Sequence, residues 1–215
     1  MTTIYDCIVL IHIYNEYLTK NDHIINLGII VNNLRDTHEI CLVCKDDLDI
    51  SWYKEQYNYT FSEMRYPSEE YTVNPMYDAA LFKKLEQYEY SLCLTLDCML
   101  NGNGEMLSTF IERDFDYIAA PFNKETTKSL FNIDGEMCGY DEFSLKRNKT
   151  AIDICNLIKA NKAPENYISY SNYNAKIARM TPISVCRLFA FPASEKDYWM
   201  SRNDGKEPFG FIYNI

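Results

Sequence analysis

The stretch Tyr88-Glu-Tyr-Ser-Leu-Cys-Leu-Thr-Leu-Asp-Cys-Met-Leu100 decides the fold. Its centre, Leu92 to Leu96, is apolar on both faces, as a central strand covered by helices on both sides requires. That excludes a solvated hairpin. The strand ends on one carboxylate, Asp97. In open α/β sheets the crevice beyond the carboxyl ends of the strands is the usual place for a ligand, and a metal-bound diphosphate is one ligand that takes an oxygen donor there. Asp97 is also open to a bland reading, as a cap for the segment Asn101 to Gly104 or as the partner of a nearby base, because acids after strands are common turn residues.

Upstream, Asp6 to Ile13 reads as a buried strand. Lys20 to Leu34 has helical spacing at Ile24, Leu27, Ile30, Val31 and Leu34, and Glu39 to Cys44 is a second strand. This β-α-β order favours a parallel sheet with a right-handed crossover. A turn at Asp46 to Asp49 leads into a short helix, Ile50 to Gln56, and Phe61 to Arg65 is a third strand. Pro75 opens a helix over Met76 to Leu85. Downstream, the pattern predicts a helix over Met106 to Arg113, a strand over Tyr117 to Pro121, a mobile connection over Thr126 to Gly135 and a helix over Ala151 to Ala160. A polar, tyrosine-rich helix or loop comes next over Tyr167 to Lys176, then a final strand over Val185 to Phe191. There is no internal repeat, low-complexity tract or Gly/Ser linker, so a single α/β domain is the economical reading.

The chain has 215 residues and a formal charge of −10. That length buries a substantial core, and the acidic balance disfavours a protein that binds by neutralising nucleic-acid phosphates. The opening residues do not read as a signal peptide, and no apolar run reaches the ~20 residues of a membrane span, so a cytoplasmic location is expected. The eight cysteines are scattered in apolar segments and are expected to be reduced core thiols. Cys41 and Cys44 form a CxxC within a strand. Residues three apart on a strand point to opposite faces, which argues against shared metal ligation. With three histidines and no second cysteine pair, a zinc site is disfavoured. The 18 tyrosines and 11 phenylalanines can line a carbohydrate or nucleotide site, or fill core positions. GxGxxG, GxxxxGK[ST] and GxSxG are all absent, which disfavours the common dinucleotide fold, phosphate-loop ATPases and α/β-hydrolases.

Taken in order, His12-Ile-Tyr14, Leu42-Val-Cys-Lys45, Leu48-Asp-Ile-Ser-Trp-Tyr53, Met76-Tyr-Asp78, the Asp97 strand and Asp116-Tyr-Ile-Ala-Ala-Pro-Phe122 form a series of landmarks. It continues through Gly139-Tyr-Asp-Glu-Phe-Ser-Leu-Lys146, Pro164-Glu-Asn-Tyr-Ile-Ser169 and Pro208-Phe-Gly-Phe211. The set resembles glycosyltransferase-like proteins of the GT-A fold. The resemblance implies one Rossmann-like domain, a mostly parallel central sheet flanked by helices, with residues 1–100 as the nucleotide-sugar half and 101–215 as the acceptor half. It implies transfer from a nucleotide-sugar donor to a hydroxyl acceptor, which could be a glycan, a small molecule, a protein or a modified DNA base.

The residue roles rest on the same resemblance. Asp97 would face a Mn²⁺ or Mg²⁺ bound to the donor diphosphate, and His12, Tyr14 and Lys45 would touch the donor. Glu165, Asp141 and Glu142 are the candidates for the base that deprotonates the acceptor, with Tyr167 to Tyr173 lining the acceptor side. Bland readings stand beside these: His12 as a hydrogen-bonded strand-end histidine, Lys45 as a solvated charge, and Glu165 as a cap of the following helix. Three departures from the family pattern motivate an alternative, a non-catalytic protein that binds a nucleotide sugar or a partner on the same scaffold. Cys98-Met99 supplies no second motif acid, Asn166 comes after Glu165 where a second acid is usual, and Ile212 stands in the place of a late histidine.

Overall fold

A computed structural model describes residues 6–14, 21–67, 75–179 and 181–213. The strands β1 (Cys7–His12), β2 (Glu39–Lys45), β3 (Ser62–Tyr66) and β4 (Tyr90–Thr95) are parallel, with helices α1 (Asn21–Leu34), α2 (Ser51–Gln56) and α3 (Ala79–Lys83) between them. After β5 (Cys98–Leu100) and α4 (Gly104–Ile111) come β6 (Tyr117–Phe122), α5 (Lys124–Phe131) and the long β7 (Met137–Arg147). The main sheet has the order β3-β2-β1-β4-β7-β6, and β7 alone runs antiparallel to both its neighbours. The chain then forms α6 (Asn148–Ala160), α7 (Tyr167–Ile177), α8 (Ile183–Phe189), β8 (Ala190–Pro192), α9 (Lys196–Met200) and β9 (Gly210–Ile212). A small second sheet has the order β5-β9-β8. Among the described residues no helix is long and apolar enough to cross a membrane.

Alternation along the strands divides the core. Val9, Ile11, Leu42, Leu92, Leu94 and Leu145 face one layer with α1, α4 and α8. Leu10, Cys41, Val43, Cys93 and Tyr117 face the other with α3, α6 and α7. Burial on both faces is what the unbroken apolar runs of β1 and β4 demand. Cys41 and Cys44 lie in different layers, as their spacing in a strand requires, and all eight cysteines are free and buried.

Several elements differ from the sequence reading, which also had no place for α9 and β9. The helix expected over Met76 to Leu85 is split: Pro75–Tyr77 is a 3₁₀ turn, and Asp78 caps α3 by accepting from the Ala80 amide. The connection expected over Thr126 to Gly135 contains α5, capped by Asn123 and closed by Asn132 in the left-handed region at φ 56°. The strand expected over Val185 to Phe191 is helix α8 followed by the three residues of β8. Short apolar runs of this length fit either element, and Val185-Cys-Arg-Leu-Phe189 places apolar side chains three and four apart, which suits a helix. β7 itself, quoted only as a landmark, is the longest strand.

β9 comes close to the main sheet at Gly210. A Cβ there would stand 2.3 Å from the Phe143 ring and 2.7 Å from the Met99 carbonyl oxygen, which is backbone and cannot rotate away. Gly210→Ala should therefore cost about 1 to 3 kcal/mol in urea unfolding. An unchanged midpoint would mean that β9 is free to move off the sheet.

Candidate functional site at the carboxyl edge of the sheet

β4 stops at Thr95, and Leu96-Asp97 turns the chain into β5. This turn is clamped from two sides. From α1, His23 Nε2–H donates to Asp97 Oδ1 at 2.9 Å, and Asn26 Nδ2 donates to the Leu96 carbonyl at 2.8 Å. From the residue after β9, the Tyr213 amide donates to the Asp97 carbonyl at 2.8 Å. Further along α1, Asn33 holds the Gly102 carbonyl. The His23 side chain is 2% exposed and that of Asp97 18%, so the acid reaches solvent from a buried support. Asp97 is not the cap of the next helix, because Asn103 fills that place on the Met106 amide. A pocket of about 240 Å³ lies alongside, lined by Asp22, His23, Ile25, Asn26, Met99 and Tyr213.

A β-bulge builds the other half of the edge. Ala119 pairs with Ser144, yet the next residue, Ala120, pairs with Tyr140, leaving residues 141–143 of β7 without partners on β6. Bulges re-aim side chains, and here Asp141 joins the layer that holds Lys146. Both are fully buried, with Lys146 Nζ 3.3 Å from Asp141 Oδ1. Tyr117 donates to the same oxygen at 2.6 Å, and Lys146 donates to the Met76 carbonyl at 3.2 Å. The ammonium also sits 4.0 Å from the centre of the Tyr170 ring and 5.3 Å from that of Tyr77. Glu142 is partly buried. Burial is the largest cause of its raised carboxyl pKa, with the Asp141 charge adding to it. Its carbonyl accepts from Cys98 Sγ at 2.9 Å, which ties the bulge to the Asp97 turn.

The remaining sequence candidates fall in different settings. His12, at the end of β1, is fully buried, and both ring nitrogens lack a hydrogen-bond partner among the described residues. Burial first, then the Lys146 charge, hold its imidazole down to about 3. Tyr14 is half-buried against the core and Lys45 half-buried at the end of β2. Glu165 is half-buried one residue before the cap of α7 and makes no hydrogen bond or ion pair among the described residues. The cap is Asn166, whose Oδ1 accepts from the Ser169 amide at 3.0 Å, so the departure at 166 has a local structural role. Tyr170, in the segment expected to line an acceptor, is buried over Lys146. The structure thus brings Asp97, Asp141 and Glu142 to one edge and leaves Glu165 outside their hydrogen-bond network.

Sequence reasoning missed His23 and the partnership of Lys146. Nothing local marks His23, whose partner is 74 residues away. Among the described residues no three His, Cys, Asp or Glu side chains form a metal-holding group. Asp97, with its second carboxylate oxygen outside the His23 hydrogen bond, is the one side-chain oxygen donor this turn offers.

The buried pair generates two expectations. Lys146→Met leaves Asp141 charged and alone in the core, and should cost about 3 to 5 kcal/mol. Adding Asp141→Asn should recover much of that loss in a double-mutant cycle of urea unfolding. A single variant costing less than about 1 kcal/mol would show that the pair is not holding the bulge. His12 is kept neutral in the folded protein, while in the unfolded chain it takes a proton near 6.5. Its penalty is absent above that pH and grows as pH falls toward 3, reaching roughly 4 to 5 kcal/mol at most. His12→Leu should flatten this part of the stability profile, and an unaltered slope would assign it to the carboxylates.

Residues 58–212 match the model of a family described as "Protein of unknown function (DUF5672)". No curated protein matches the chain by sequence. Among solved structures, the galactosyltransferase LgtC, crystallised with donor and acceptor sugar analogs, superposes with a TM-score of 0.60 at 11% identity, covering 96% of this chain and 87% of LgtC. Mouse xyloside xylosyltransferase 1 gives a TM-score of 0.58 at 8% identity, with 97% of each chain covered. The glycosyltransferase GlyE of Streptococcus pneumoniae gives 0.55 at 14% identity, and there the chain spans 96% of itself but only 54% of GlyE. At these identities the likeness is one of fold, and that fold is the GT-A arrangement. With the family model covering most of its length, the chain belongs to the DUF5672 family of proteins.

Proposed function

We propose that the protein is a glycosyltransferase that moves a sugar from a nucleotide-sugar donor to a hydroxyl acceptor. The observation that carries this reading is the clamped Asp97, a partly exposed carboxylate braced by His23 at the carboxyl edge of the sheet, with Glu142 tied to the same turn. Residues 1–100 bind the donor in this reading, with Tyr14 and Lys45 at the rim and His12 beneath it, and residues 101–215 bind the acceptor.

Asp97 would be the protein donor to a divalent cation, Mn²⁺ or Mg²⁺, with His23 holding the carboxylate in place through its Nε2–H and the other positions left to diphosphate oxygens and water. When bound, the ion neutralises the charge of the leaving diphosphate. Glu142 is the base in this proposal, since it is partly open to solvent and its raised pKa brings it toward the operating range. Asp141, fully buried against Lys146, sets the position of the bulge that carries Glu142. Glu165 lies outside this network and is the reserve candidate.

Thermal shift against nucleoside diphosphates and nucleotide sugars, each with and without Mn²⁺, tests the donor site. One donor should raise the midpoint in a metal-dependent way, and Asp97→Ala and His23→Ala should each remove the metal dependence. Full donor turnover by Asp97→Ala would sink the assignment. With the donor known, activity should rise with pH through a pKa above the ordinary glutamate value. Glu142→Gln should lower kcat by about 10²-fold or more without that rise.

The alternative is binding without transfer. It is favoured by the missing second acid and by Asn166 serving as a helix cap. Donor binding with no turnover across an acceptor panel would select it.

A further inference from the structure

A second cleft opens at the far side of the same sheet edge, where β6 ends and Asn123 begins α5. Its volume is about 460 Å³, and Lys124, Glu125, Glu195, Tyr198 and Arg202 line it with Asn123. The group that distinguishes it is Glu195. This carboxylate is partly buried and has no cationic partner among the described residues. Its oxygens are instead held by two neutral donors, Oε1 by Asn123 Nδ2 at 2.6 Å and Oε2 by Trp199 Nε1 at 2.7 Å. Both donors are themselves fixed. Asn123 Oδ1 caps α5 on the Thr126 amide at 2.8 Å, and the Trp199 side chain is fully buried.

A carboxylate has about four lone-pair sites, so one hydrogen bond at each oxygen leaves each with an unused acceptor position. Burial is the main cause of its raised pKa, and the two donors oppose it. A partly desolvated acid that makes no ion pair among the described residues, in a cleft, is the kind of group a ligand completes. The complement to two adjacent acceptors on a rigid plane is a pair of neighbouring hydroxyls. The rest of the lining mixes polar and apolar surface and is nearly balanced in charge, in a chain whose net charge is −10, which suits a neutral ligand over an anionic one.

We propose that this cleft binds a neutral, hydroxyl-rich carbohydrate, with Glu195 accepting from two neighbouring hydroxyls and Asn123 and Trp199 holding it in place. As a binding site it stands alone. As the acceptor site of a transferase it rests on the reading above, and would make the acceptor a sugar.

The chain has two tryptophans, so the indole region of a ¹H–¹⁵N spectrum carries one reporter at the site and one far from it. Neutral hexoses, N-acetylhexosamines, pentoses and their disaccharides should be titrated into the full chain. At least one should move the Trp199 indole signal saturably and leave that of Trp52 in place. Glu195→Gln, close in shape, should weaken that sugar about tenfold or more, with an unchanged Trp52 signal reporting an intact fold. Two results would overturn the proposal: no sugar in the panel shifting Trp199, or equal affinity in Glu195→Gln. Donor binding at Asp97 is read by the metal-dependent thermal shift, so either site can fail while the other stands.

Discussion

The fully buried ammonium of Lys146 is the constraint around which the upper half of the sheet is arranged. A lone charge in the core costs several kcal/mol even after relaxation, and this one is met from several directions. Asp141 supplies the counter-charge and Met76 a carbonyl, while Tyr170 and Tyr77 turn ring faces toward it. Tyr117 completes the set by donating to Asp141 rather than to the lysine. The partners come from several elements, so the charge cannot be satisfied unless β6, β7, α7 and the 3₁₀ turn at Pro75 are all in place. The pairing is thus a condition on the fold more than a source of net stability.

That condition explains the bulge. In a regular strand Asp141 and Lys146, five residues apart, would point to opposite faces. Residues 141–143, unmatched on β6, break the alternation and let both side chains enter the same layer, while Phe143 turns to the other. The same distortion leaves the Glu142 carbonyl within reach of the Cys98 thiol. The position of the Asp97 turn and the shape of β7 are therefore linked through backbone and thiol, with α1 and Tyr213 bracing the turn from its other side.

The legible parts of the sequence were those where a single face or layer decides the pattern. The centres of β1, β2 and β4 are apolar because helices cover both sides, and α1 keeps its helical spacing because one stripe faces the sheet. β7 was not legible as a strand for the opposite reason. Its Asp141, Ser144 and Lys146 face a buried charge cluster, so polar letters stand at core positions. α5 is mostly polar, with Thr127 its buried residue, so periodicity had little to report, though Asn123 was a readable cap. At the candidate site, the place of Asp97 at the end of a buried strand was readable from the pattern alone. His23 could not, because its role comes from a helix packing across 74 residues, a tertiary fact with no local trace.

The direction of β7 accounts for the gathering of acids at this edge. Ligand edges in parallel sheets are built from the loops that leave the carboxyl ends of the strands, one loop to each strand. An antiparallel strand between β4 and β6 contributes its first half instead, which begins beside Phe122 at Met137 and comes level with the end of β4 where Phe143 pairs with Leu94. Asp141 and Glu142, in the middle of β7 and just ahead of the segment that pairs with β4, thus reach the same edge as Asp97. β7 also separates the Asp97 turn from the cleft at Asn123, giving one edge two compartments. A carboxylate braced by histidine lies on one side and a carboxylate braced by two neutral donors on the other, with Glu142 on the strand between. On the two proposals above, a charged donor and a neutral sugar would lie on either side of this common seam.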